Sequence, residues 1–90
     1  MTLHIGGNIV VPINDIIAII DAEMIDISDA NKEFMQVSKD EGFVVDISKE
    51  ETKSVIISQC EQNTVIYMSP ISSTTLLKRS KFFEDISHIK

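Results

Sequence analysis

One stretch of the sequence, residues 69–83, places hydroxyl side chains directly before a cluster of cations. A helix that begins here offers free N–H groups and the positive end of its dipole, which with hydroxyls and cations can bind a phosphate of a nucleic-acid backbone. Capping explains one or two of the hydroxyls, so a plain capped helix is the competing interpretation. The hydroxyl residues are Ser69, Ser72, Ser73, Thr74 and Thr75, and the cations are Lys78, Arg79 and Lys81.

Histidine and cysteine are too isolated in the sequence to indicate a reactive site. His4 and His88 are the only histidines, and neither has a carboxylate at metal-ligand spacing in its own element. Cys60 is the only cysteine, so no internal disulfide can form, and no basic residue lies near it in sequence to activate the thiol. Surface histidines and an inert thiol are the simpler interpretations.

Two further motifs have simpler explanations than ligand binding. Asp21, Glu23 and Asp26 are spaced like cation ligands, but the glycine and final glutamate of an EF-hand loop are missing. Gly6-Gly7 is followed by a strand pattern and not by Lys-Ser/Thr, which indicates a hairpin turn and not a phosphate loop. We therefore expect no catalytic residue, no metal and no cofactor, and a protein that is not an enzyme.

Length and charge define the general class of protein. Ninety residues, 43% of them apolar and 24% charged, fit a single globular domain over residues 1–90. The net charge is −6, and the cations are concentrated in the second half, so nucleic-acid binding would require a basic face there. The start lacks a signal-peptide pattern and no apolar run reaches the roughly 20 residues of a membrane span, so we expect a cytoplasmic protein.

Hydrophobic periodicity predicts the order β-β-β-α-β-β-β-α, which is an α+β fold with a small, mainly antiparallel sheet of about six strands. Ser28 is the predicted N-cap of a helix that ends before Gly42, and Ser72 or Ser73 begins the second helix. Residues 84–90 are expected to be loosely ordered. The predicted strands cover residues 3–5, 8–11, 16–20, 43–47, 53–59 and 64–68.

Helical spacing predicts which face of the first helix is buried. Ala30, Phe34 and Val37 recur on one face, together with Glu41, and we expect this face to pack on the sheet.

In the last two strands, alternation predicts inward residues at Val55 and Ile57 and at Val65 and Tyr67. Residues 16–20 predict a strand with apolar residues on both faces. Both faces of such a strand need cover, and two helices can hardly provide it. We therefore expect a subunit interface at Ile16, Ile17, Ile19 and Ile20.

Several segments of the chain match a known pattern in their order and spacing. They are Gly7–Val10, Asp15–Asp21, the helix ending at Gly42, Val45–Ile47, Thr52–Ile57 and Tyr67–Arg79. Together, over residues 3 to about 83, they resemble the RemA/RemB family of bacterial extracellular-matrix regulators. The resemblance is closest to the RemB branch, through Ser69–Arg79 and Asn14–Ile17.

The resemblance implies a small cytoplasmic protein that assembles into rings and, from the RemA branch, sequence-preferring DNA binding that activates matrix and biofilm genes. Asp15, Glu50 and Glu51 stand where RemA-type members carry cations, and acids repel phosphate. We expect a DNA-binding regulator; the alternative is an oligomeric protein-interaction module or co-regulator without direct DNA contact. The residues expected to contact DNA are Lys49, Lys53, Lys78, Arg79 and Lys81.

Overall fold

The computed structural model describes the backbone of residues 1–88 and the side chains of residues 1–80. It confirms the α+β class and the predicted order of strands and helices. Two short 3-10 helices, Ile13–Asp15 and Ala22–Asp26, flank the third strand and were not predicted. The elements are β1 (Thr2–Gly6), β2 (Ile9–Pro12), β3 (Ile16–Asp21), α1 (Asp29–Asp40), β4 (Val44–Asp46), β5 (Ser54–Cys60), β6 (Asn63–Ser69) and α2 (Ser73–His88).

The last helix, α2, extends beyond residue 83, after which the sequence predicted loosely ordered residues. The backbone of α2 continues to His88, so residues 84–88 belong to a helix, and residues 89–90 lie outside the described residues. Neither α1 nor the described part of α2 is long and apolar enough to cross a membrane.

The six strands form two sheets and not one. β1 and β2 make an antiparallel hairpin, while the other four strands form a sheet in the order β3-β5-β6-β4. Within that sheet only β4 pairs in parallel, with β6, because α1 carries the chain across the sheet before β4 begins. β3 and β4 are therefore the edge strands.

Local signals in the sequence set the boundaries of α1 and of the first turn. The Ser28 hydroxyl accepts a hydrogen bond from the Asn31 N–H at 3.1 Å, which confirms the predicted N-cap, and Gly42 ends the helix region with a φ of 78°. At Gly6, φ is 125°, and a Cβ there would lie 3.1 Å from Cδ of Pro70 and 3.2 Å from Cγ2 of Ile47. Only glycine fits this position without displacing its neighbours.

The buried face of α1 is not the one that the sequence predicts. Met35 and Ser38 are buried against the sheet, whereas Phe34 is 44% exposed and Val37 is 52% exposed. Ser38 tolerates burial because its hydroxyl donates a hydrogen bond to the Phe34 carbonyl at 2.8 Å. The prediction was wrong because the side of α1 that meets the sheet carries Met35 and Ser38, and Phe34 and Val37 lie on a neighbouring side that is exposed.

Apolar side chains pack on both faces of the four-stranded sheet. Neighbouring residues Val55 and Ile56 of β5 are both buried and point to opposite faces. The β1–β2 hairpin and α2 cover one face, and α1 covers the other. The first core contains Leu3, Ile5, Val11, Ile56 and Leu76, and the second contains Met35, Val55 and Ile66.

The β5–β6 hairpin is confirmed, but the side chains of β6 point to the opposite faces of the sheet from those predicted. The face that carries Val55 and Ile57 also carries Ile66 and Met68 from β6. Val65 and Tyr67 point to the other face. Both faces of β6 are apolar enough to be buried, so alternation alone could not choose between them.

Candidate nucleic-acid interface

Ser69, the first residue of the predicted hydroxyl cluster, is fully buried and has a structural role. Its Oγ donates a hydrogen bond to the Ile5 carbonyl at 2.6 Å and accepts one from the Ile71 N–H at 3.0 Å. These two bonds connect β1 to the segment between β6 and α2. Ser69 is therefore not available to bind a phosphate.

Ser72 is the residue that caps α2. Its Oγ accepts a hydrogen bond from the Thr75 N–H at 3.2 Å, and its carbonyl accepts one from the Leu76 N–H at 3.1 Å. Ser73 is buried, whereas Thr74 and Thr75 are exposed. The exposed hydroxyls of the cluster are thus Thr74 and Thr75, and the Thr75 hydroxyl also bonds to Ser72 at 3.0 Å.

Two cations of α2, Lys78 and Arg79, lie on the exposed side of the helix, whereas Leu76 is fully buried in the first core. Lys78 is exposed, and so is Arg79, although the Arg79 Nη1 donates a hydrogen bond to the His4 carbonyl at 3.1 Å. His4 itself has its Nε2 2.8 Å from the Gly7 carbonyl. The Lys81 side chain lies outside the described residues. Of the two described cations of α2, Lys78 is therefore the one whose side chain is not held by the contact with His4.

Lys53 directly precedes β5 and lines a cleft of about 300 Å³. Its backbone is fixed at both ends: the N–H donates to the Ser69 carbonyl at 2.8 Å, and the carbonyl accepts from the Ala22 N–H at 3.0 Å. Its side chain is exposed. The cleft is lined by Asp21, Ala22, Glu23, Glu51, Thr52, Lys53 and Ser72.

Three carboxylates share this cleft with one lysine, so the net charge of the cleft is negative and repels a phosphate. The proximity of Asp21 and Glu23 to Lys53 was not predicted. No local signal indicates it, because these residues meet only through the antiparallel pairing of β3 with β5, which sets Asp21 opposite Ser54, the residue after Lys53. The cleft also contains Ser72, so Lys53 lies close to the beginning of α2.

Lys49 lies in the loop before β5 and is exposed, but it does not line the cleft. Its neighbour Glu50 is exposed as well, and the Glu50 N–H donates a hydrogen bond to the Ser48 hydroxyl at 3.1 Å. The structure therefore brings Lys53 next to α2 and leaves Lys49 outside that group.

Asp15 lies near the opposite end of β5 from Lys53. Its carboxylate is the main cause that raises the pKa of the Cys60 thiol, with further contributions from burial and from Glu61. Residues 53 and 60 are about 20 Å apart along an extended strand. The acids at positions 15 and 51 therefore lie at different places on the surface and do not form one acidic site.

The predicted subunit interface is the edge strand β3. Ile17 is 62% exposed at an irregularity in the pairing with β5, whereas Ile16 and Ile19 pack against the first core and Ile20 is half-buried. The β1–β2 hairpin and α2 therefore cover one face of β3, which the sequence pattern had left without a predicted partner. Within the described chain, the outer edge of β3 has no strand beside it.

The structure is thus a small α+β domain with exposed cations on α2 and an open sheet edge at β3. Residues 2–80 match the family model described as RemA-like, extracellular matrix regulatory protein A-like. The chain belongs to this family of extracellular matrix regulators, as the resemblance indicated. A comparison with curated proteins finds no significant match. The match does not distinguish the RemB branch, which stays a prediction.

Proposed function

We propose that the protein is a DNA-binding transcription regulator of bacterial extracellular-matrix and biofilm genes, which acts in the cytoplasm as a ring-like homo-oligomer and has no enzymatic activity. The observation that carries this proposal is the family match over residues 2–80, combined with exposed cations on α2 of an otherwise acidic chain. The resemblance to the RemA/RemB family supplies the ring-forming part of the proposal, and the RemA branch of that family supplies the DNA-binding part.

The DNA contacts are assigned mainly to α2 and its N-terminus. Lys78 and Arg79 are exposed there, Thr74 and Thr75 add hydroxyl donors, and the first N–H groups of the helix favour an anion. A ring repeats this weak surface many times, so affinity rises through multivalency without new contacts. Lysine and arginine bound to phosphates give little base readout, so sequence preference would come largely from DNA shape.

Lys53 contributes less to DNA binding than its place in the sequence suggests. Asp21, Glu23 and Glu51 share its cleft and oppose the approach of a phosphate. Lys49 and the Lys81 side chain complete the proposed set of DNA-contacting residues.

A salt series on the intact oligomer tests the proposal. Retention of a labelled DNA duplex is measured at increasing salt for the wild type and for Lys78→Glu/Arg79→Glu. We expect the double variant to bind all duplexes more weakly, because phosphate contacts are lost irrespective of sequence. A matched control is Lys32→Glu/Lys39→Glu on α1, which changes the net charge equally and should reduce binding much less. An intact oligomer that retains no DNA at low salt contradicts the proposal.

The opposite change tests the role of the acidic residues. Glu50→Lys/Glu51→Lys places cations where RemA-type members carry them and removes one of the acids around Lys53. Each new phosphate contact steepens the slope of log K against log salt by about 0.9. We expect stronger binding and a slope steeper by up to about 1.8 per protomer that contacts DNA. An unchanged slope would show that this loop does not face the duplex.

The acidic cleft also favours a second candidate function. A member of this family whose Lys53 is surrounded by carboxylates could act as an oligomeric co-regulator that binds other proteins and not DNA. A DNA shift assay and a solution-mass measurement on one sample separate the two functions. An oligomer that never shifts DNA favours the second.

A further inference from the structure

An apolar stripe on α1 has no partner within the described chain. Ala30, Phe34 and Val37 follow one another at spacings of four and three residues, so their side chains lie in a row along the helix. Phe34 is 44% exposed and Val37 is 52% exposed. The row runs beside the buried face formed by Met35 and Ser38. We call Ala30, Phe34 and Val37 the α1 stripe.

The exposed side of the α1 stripe is bordered by acids. At 100° per residue, Asp29, Glu33 and Asp40 fall together on the flank of the stripe that faces away from the core. All three are exposed, and the Asp40 carboxylate accepts a hydrogen bond from the Gln36 side chain at 3.0 Å. Lys32 and Lys39 fall on the side of the helix opposite to the α1 stripe.

The shape of the stripe fits another helix. From Ala30 to Val37 the row is about 10 Å long, which is two helical turns, and it forms a convex ridge. A ridge of this kind packs into the groove between side-chain rows of a second helix. The backbone of α1 is already hydrogen-bonded within the helix, so it offers no edge to an extended peptide.

Charge argues against the pairing of two α1 stripes with each other. Two α1 helices packed antiparallel by their stripes would set the acidic flank of one against the acidic flank of the other, and such like-charge contacts are unfavourable. We propose that the α1 stripe binds an amphipathic helix of a partner protein, with apolar residues that meet Phe34 and Val37 and a basic flank that meets Asp29, Glu33 and Asp40. This surface is separate from the α2 cations and from the β3 edge.

Two synthetic helical peptides of about three heptads test the proposal. Both carry the same leucine stripe; one has lysine along its flanks and the other has glutamate. Binding to the wild-type protein is followed by fluorescence anisotropy at physiological salt. We expect the lysine peptide to bind and the glutamate peptide to bind at least about tenfold more weakly, because the acidic flank attracts one and repels the other.

Three double variants separate the apolar and the charge contributions. Phe34→Asp/Val37→Asp should weaken binding of the lysine peptide by at least about tenfold, since exposed apolar anchors are lost. Lys32→Ala/Lys39→Ala makes the same change in net charge on the far side of the helix and should bind as tightly as the wild type. Glu33→Lys/Asp40→Lys should reverse the preference in favour of the glutamate peptide. These sites are on the surface, and thermal melts establish that each variant folds.

Other results would overturn the proposal. If the lysine peptide binds Phe34→Asp/Val37→Asp as well as the wild type, attraction is merely electrostatic and the stripe is not a docking site. If neither peptide binds the wild type at about 0.1 mM, no helix docks there. If Phe34→Asp/Val37→Asp lowers the solution mass of the protein, the occupant of the stripe is a second copy of this chain. DNA retention, measured on the same samples, reports on the proposed function independently.

Discussion

Replacing Ser69 with alanine tests whether the link between β1 and the start of α2 stabilises the domain. The hydroxyl is fully buried, donates to the Ile5 carbonyl at 2.6 Å and accepts from the Ile71 N–H at 3.0 Å. Alanine fits the space but leaves both backbone groups without a partner. A buried unsatisfied group costs about 1–3 kcal/mol, so the two together should lower the free energy of unfolding by about 3 kcal/mol.

That loss is large for a domain of this size. Small domains have total stabilities of roughly 5–15 kcal/mol, and each kcal/mol moves the melting temperature by about 4–8 °C. Urea unfolding followed by circular dichroism should therefore give a clearly lower midpoint for Ser69→Ala, and melting should occur roughly 15 °C earlier. Protein concentration is kept fixed, because self-association would contribute to apparent stability.

Two other serines provide graded controls. Ser58 is buried and donates one hydrogen bond, to the Val65 carbonyl at 3.0 Å, so Ser58→Ala should cost about half as much as Ser69→Ala. Ser48 accepts an exposed hydrogen bond from the Glu50 N–H, and Ser48→Ala should change stability by less than about 0.5 kcal/mol. Equal midpoints for Ser69→Ala and Ser48→Ala would refute the reasoning.

Further predictions concern the turns and the thiol. Glu61 has a φ of 57°, so Glu61→Gly should relieve backbone strain and raise the free energy of unfolding by about 0.5–1 kcal/mol. Gln62 lacks that strain, so Gln62→Gly should lower the free energy of unfolding. Both changes are read from urea midpoints. Gly6→Ala should lower the midpoint by about 1–2 kcal/mol, because its Cβ would crowd two side chains at a φ of 125°; an unchanged midpoint would contradict the close approach. Asp15→Asn removes the carboxylate that raises the pKa of Cys60, so the thiolate fraction and the rate of alkylation by iodoacetamide at pH 8 should increase; equal rates would show that the carboxylate is not beside the thiol.

The elements of this fold could be predicted because their signals are local. Ser28 caps α1 through its own side chain, and Gly42 takes the positive φ that follows a helix. The order of the elements and the β5–β6 hairpin follow from similar short-range patterns. Each of these depends on residues only a few positions apart.

Which faces are buried could not be predicted, because burial depends on distant residues. In α1, hydrophobicity alone selects Phe34 and Val37, yet the chain buries Met35 and Ser38, whose hydroxyl bonds back to its own helix. In β6 both faces are apolar, and the choice between them follows from what α1 and the hairpin each cover. A rule that ranks residues by hydrophobicity has no means of making either choice.

The candidate interface was predictable only in part for the same reason. The cations of α2 are evident from composition, and their position on an exposed helix side follows from the burial of Leu76. Two of the three acids around Lys53, Asp21 and Glu23, come from the end of β3 and the 3-10 helix after it, about thirty residues earlier in the chain, and meet Lys53 only through the β3–β5 pairing. Arg79 likewise meets the His4 carbonyl through tertiary contact alone.

The contacts between the first strand and the last quarter of the chain have a consequence during synthesis. The β1–β2 hairpin emerges from the ribosome well before Ser69 and Arg79, the two residues whose side chains fasten it. An isolated two-stranded hairpin is marginal in water, and here its apolar side needs Ile56 and Leu76 to be covered. The nascent chain therefore holds Leu3, Ile5 and Val11 unprotected until residues 69–79 have been made, and a chain truncated before residue 69 should be degraded or aggregate and should not persist as a folded fragment.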